Sequence, residues 1–89
     1  PRNPLIGVYF MSCTFTINRD GTIHAWHSRA NTDMPFGRVS LTELLQGMRE
    51  WEGGKLIQNA MPFLDAGRRE FIMTGITPEM WNSMFEHQL

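Results

Sequence analysis

An α+β domain, with an antiparallel β-hairpin packed on three to four short helices, is the architecture that three features of this sequence predict. Apolar and polar residues alternate on both sides of an Asp-Gly pair in the first third. In the second half, apolar residues recur at helical spacing, and each such run is bounded by a capping residue and a glycine or proline. A third strand is expected if the apolar run LIGVYF, residues 5–10, joins the hairpin.

Residues 1–10 read in two ways, as a leader or tag remnant ahead of an ordinary Met11-Ser12 start, or as that extra strand. The hairpin itself spans 12–28 and admits two registers. A two-residue Asp20-Gly21 turn sets Ile17 opposite His24. A three-residue loop with Gly21 in the left-handed conformation instead sets Ile17 against Ile23 and Phe15 against Ala25. The second register keeps one face apolar and is preferred, because a slip by one residue exchanges the faces of a strand. It gives Thr14, Thr16, His24 and Trp26 a common wet face. Residues 29–39, rich in Asn, Asp, Pro and Gly, read as a connecting loop.

The helical part spans 40–86. Ser40 and Glu43 form a capping box ahead of the stripe Leu41, Leu44, Leu45, Met48 and Trp51, and Gly53-Gly54 ends that helix. Gly47 lies inside it, against its propensity, and suggests a close packing contact. A short second helix is limited by Pro62. Asp65 caps a third, with Phe71 and Ile72 inward, and Gly75 closes it. Thr77, Pro78 and Glu79 then start a fourth, in which Trp81, Met84 and Phe85 share a face. Trp51 and Trp81 are expected in the core, with Met48, Met73 and Met84 as core filling. Met34, Met61 and Met80 fall on no obvious stripe.

One domain is all that 89 residues require, and the 42% apolar share is that of a chain with a core. A net charge of −1 argues against a general polyanion binder. The single cysteine, Cys13, cannot form an internal disulfide, and the longest apolar run is far shorter than a membrane span. The expectation is a soluble protein in a reducing cytoplasm, with no membrane partner.

Candidate chemistry is thin. Asn18, Asp20, Gly21 and Ile23 match part of a calcium loop, but Thr16 and His27 stand where its first carboxylate and its bidentate glutamate belong, so a plain turn is expected. Cys13 faces His27 across the hairpin, without a second pair at ligand spacing, and reads as a buried thiol beside a half-exposed imidazole. The carboxylates fall on caps and solvent faces, with none poised as an acid and base pair. No enzyme activity, metal or cofactor is expected.

The pattern Ile57-Gln58, Pro62 and Leu64, Arg69-Glu70-Phe71, Gly75-Ile76-Thr77-Pro78, Trp81 and Phe85 resembles the C-terminal segment of small proteins of unassigned activity encoded by bacteriophages and other mobile elements. The resemblance covers residues 57–85 and none of the hairpin. It implies a phage or plasmid origin, and such proteins often bind and redirect a host protein.

The leading expectation is a non-catalytic protein-binding module, a host-protein inhibitor acting in the host cytoplasm. Its contact surface is expected on Thr16, His24 and Trp26, with Arg29 and the segment carrying Met34 and Phe36. The alternative is a single-stranded nucleic-acid binder using Trp26 and scattered arginines. A homo-oligomer joined through strand edges is a third reading.

Overall fold

The computed structural model describes residues 6–87. Four strands, β1 (Ile6–Phe10), β2 (Cys13–Ile17), β3 (Ile23–His27) and β4 (Thr32–Gly37), form one antiparallel sheet in chain order. Four helices follow: α1 (Leu41–Glu52), α2 (Ile57–Ala60), α3 (Ala66–Thr74) and α4 (Pro78–His87). The α+β class holds, and the sheet is wider than a hairpin. The part of the extra-strand reading that falls on residues 1–5 lies outside the described residues, while Ile6–Phe10 pairs with β2.

The β2–β3 register sets Ile17 opposite Ile23 and Phe15 opposite Ala25, as the alternation predicts. Its turn is built locally. Asn18 donates its N–H to the Thr22 carbonyl at 2.8 Å, Gly21 at φ 87° donates to Asn18, and the Asp20 carboxylate accepts from both the N–H and the hydroxyl of Thr22. Those Thr22 bonds hold the Asp20 carboxyl below its usual pKa, the hydroxyl contributing most.

Residues 29–39 contain a strand as well as a loop, which corrects the sequence reading. Ser28 turns back by donating its N–H and hydroxyl to the Ser12 carbonyl, and Asn31, at φ 54°, takes the left-handed step that asparagine tolerates. β4 then pairs with β3, with a bulge opposite Ile23 and His24. Pro35 disguises the strand, yet β4 is an edge, where a missing N–H costs no ladder bond.

One face of the sheet carries Cys13, Phe15, Ile23, Ala25, His27 and Phe36, all buried. Against it pack Leu44 and Met48 of α1, Ile57 and Ala60 of α2, and Phe71 and Ile72 of α3. Phe36 is the hub: its ring lies 6.0 Å from that of Phe15 and 6.1 Å from that of Phe71, with the Arg68 guanidinium 5.9 Å above it. The molecule is 21 Å in its thin direction, about the depth of one sheet and one layer of helices. The other face of the sheet therefore stays open.

The caps follow the sequence. Ser40 accepts from the Glu43 N–H at 3.2 Å, Asp65 from Arg68 at 2.9 Å, and Thr77 from Met80 at 3.2 Å. Among the described residues the capping box at Ser40 forms only this first half. Gly47 does meet a neighbour: a Cβ there would run into the Met61 side chain and lie 2.8 Å from the Ala60 carbonyl oxygen. Gly75, at φ 78°, closes α3 by donating to the Phe71 carbonyl at 2.7 Å.

Four side chains differ from expectation, and a fifth that the sequence left open finds its place. His27 is 1% exposed, because its ring lies edge-on to Phe71 beneath the α3–α4 joint. Met84 is exposed, because α4 runs past the core and none of its described side chains is buried. Trp51 and Trp81 are half-buried at the margin of the helical layer rather than inside it. Met61, which no stripe claimed, is fully buried under Gly47.

Candidate functional site

Residues directly opposite one another in an antiparallel pair share a face, so the register alone assembles the open surface. Across β2, β3 and β4 one row runs Thr14, Trp26, Asp33; the next runs Thr16, His24, Pro35. Trp26 stands in the middle of the first row and is 38% exposed. His24 Nε2 lies 2.7 Å from Asp33 Oδ2, with the carboxylate 61% exposed. The Thr16 hydroxyl donates to the His24 carbonyl at 3.4 Å. Arg29 is exposed in the turn beyond the end of β3, three residues after Trp26.

Three of the six expected contact residues, Thr16, His24 and Trp26, thus come together on the open face, and Arg29 is exposed just beyond the end of β3. Met34 and Phe36 do not. Both alternate to the inner side of β4, where Met34 lies opposite Ala25 and packs on the core and Phe36 is 1% exposed. Side chains of one strand that differ by an odd number of positions point to opposite faces, so Asp33 and Pro35 take the places assigned to Met34 and Phe36. Asp33 was missed because β4 was read as a loop. The inward Met34-x-Phe36 alternation was the available signal.

The inner side of the same strands holds the other titratable cluster. Cys13 is fully buried opposite His27, its thiol 3.8 Å from the Ile72 carbonyl, and burial pushes its pKa up to about 11. Such a thiol is a small apolar side chain rather than a nucleophile. His27 Nδ1 accepts from the Ala30 N–H at 3.3 Å, which puts the proton of the neutral ring on Nε2. Nε2 is buried without a well-aligned partner. Burial, then the Arg29 charge, lower the His27 pKa, while the Ile72 carbonyl pulls the other way. Among the described residues, no three His, Cys, Asp or Glu side chains converge as metal ligands.

The arginines are spread over several surfaces. Arg68 pairs with Asp65 at 2.7 Å, Arg69 donates twice to the Leu64 carbonyl, and Arg38 lies by the Asp20 turn. An open groove of about 440 Å³ beside α1 and α2 is lined by Gly47, Ala60 and Phe63, and on its rim Gln46 donates to the Glu50 carboxylate, which Lys55 also meets. Among the described residues no helix is long and apolar enough to cross a membrane. No protein-family model, curated protein or solved structure matches the chain, so its function has to be read from this geometry.

Proposed function

We propose that this chain is a non-catalytic protein-binding module of phage or plasmid origin that occupies a surface on a host protein in the host cytoplasm. The observation that carries the reading is Trp26, a large indole raised on the uncovered face of a rigid sheet and flanked by polar groups. An aromatic anchor with a polar surround is the usual centre of a protein interface, and a sheet presents it with little entropy left to lose. The origin rests on the resemblance of residues 57–85.

The single-stranded nucleic-acid reading has less support. A stacking platform needs cations near the ring to meet phosphate, and here the group opposite Trp26 is the Asp33 carboxylate. Titrating binding against salt separates the two readings, because phosphate contacts weaken steeply with salt. The deciding experiment is recovery of bound proteins from a bacterial host lysate, with wild type beside Trp26→Ala. A specific partner lost in the variant is expected, with binding weakened by about 2 kcal/mol. Equal recovery by both proteins removes this face from the proposal.

A further inference from the structure

The open face also carries information about what it meets. We infer that the Trp26–Asp33 couple is a recognition site for a basic side chain, an arginine or lysine presented by the partner protein. This rests on the reading above that the face contacts a protein.

Three observations converge on a cation. Trp26 and Asp33 are directly opposite across β3 and β4, which places their Cβ atoms roughly 5 Å apart on one face. The face of an indole is the negative end of its quadrupole, so ring and carboxylate both favour positive charge. Asp33 is only half used: Oδ2 meets His24 Nε2, and Oδ1 makes no bond among the described residues. That anchors the carboxylate while leaving an acceptor free.

No lysine or arginine on these rows answers that charge, since the neighbours are Thr14, Thr16, His24 and Pro35. Elsewhere the chain completes the same chemistry internally. Arg68 lies 5.9 Å above the Phe36 ring and pairs with Asp65 at 2.7 Å, an aromatic face and a carboxylate sharing one guanidinium. Trp26 and Asp33 likewise bring an aromatic side chain and a carboxylate to one face. A planar guanidinium can stack on the ring and still point N–H groups at Oδ1. An aliphatic anchor would cover the ring but strip water from the carboxylate oxygen that His24 does not meet, and a phosphate or acidic side chain would be repelled.

The test is an NMR titration of the ¹⁵N-labelled full chain with N-acetyl-arginine amide, using N-acetyl-norleucine amide as neutral control and a thymidine oligonucleotide as anionic one. The arginine probe should shift the His24, Asp33 and Trp26 indole signals saturably. Asp33→Asn should weaken it roughly threefold to fivefold. Trp26→Leu, which keeps an apolar side chain without a π face, should do so by a similar factor, read at His24 and Asp33. Unchanged Phe15 and Phe71 signals in each variant establish that the fold is kept. Equal shifts from the norleucine probe, larger shifts from the oligonucleotide, or face signals that move with the protein's own concentration would each overturn the inference. The two proposals fail separately. A partner captured in a Trp26-dependent way, and equally well by Asp33→Asn, leaves the docking reading standing and sinks this one. A saturable arginine site in a chain that captures nothing does the reverse.

Discussion

His27 is a buried histidine, and burial gives the inner layer a group that titrates below its ordinary range. Folding holds its pKa below the ordinary 6.5, chiefly by burial and secondarily through Arg29. A base with a lowered pKa contributes stability that is complete above the unfolded value and is lost as pH falls toward the folded one, because the unfolded chain takes up the proton first. Protonation at Nδ1 also destroys the acceptor for the Ala30 N–H. Urea unfolding should therefore show stability falling as pH drops below about 6.5 in the wild type, and falling less in His27→Asn, whose side-chain oxygen can stand in for Nδ1 without titrating. Parallel pH profiles for the two proteins would contradict this. The outer histidine, His24, is set apart from it by one step of alternation in β3, which turns it to the open face and to Asp33.

Among the elements, α1 and α2 are joined by the least forgiving contact. Alanine is a better helix former than glycine by about 1 kcal/mol, so Gly47→Ala would stabilise an isolated helix. In the folded chain the added methyl group meets the Met61 side chain and the Ala60 carbonyl, and backbone cannot move aside as a side-chain tip can. Overpacking of this kind costs about 1–3 kcal/mol, so set against that gain a net loss of up to about 2 kcal/mol is expected in denaturant unfolding. A gain would mean that α2 yields easily. The corner between α3 and α4 is equally specified: Gly75 takes the left-handed residue, its carbonyl accepts from the Thr32 hydroxyl at 2.8 Å, and Thr77 and Pro78 start the next helix. That one bond fastens the corner to the start of β4, which ties a local helix stop to the sheet.

For the whole molecule, the division into a dry and a wet side of the sheet separates stability from contact. Phe71 is fully buried among Phe36, His27 and the sheet, and Phe71→Ala should cost about 3–5 kcal/mol. Trp26 is partly exposed on the open face, and Trp26→Ala should cost about 1 kcal/mol or less. Thermal or urea unfolding of both variants checks this, and comparable losses would mean that the indole is a structural post rather than a contact. The sheet edges are unequal as well. β4 carries Pro35 and a bulge, both of which discourage another strand, whereas β1 has no proline or bulge along its residues.

Local signals in the residues determined the hairpin register, because only one pairing puts Phe15, Ile17, Ile23 and Ala25 on one side, and they determined the helix boundaries at Ser40, Asp65, Gly75 and Thr77. Those features depend on neighbours a few positions away, so the chain spells them out. β4 was hidden because proline and glycine mark loops and edge strands alike, and only pairing with β3 distinguishes the two. With β4 unread, Phe36 was taken for a contact residue and Asp33 was passed over. Tertiary structure alone decided that His24 meets Asp33, that His27 is sealed under the α3–α4 joint, and that Trp26 stands beside a carboxylate. Each of these depends on which strand or helix arrives from elsewhere in the chain, and alternation within a single strand carries no record of that.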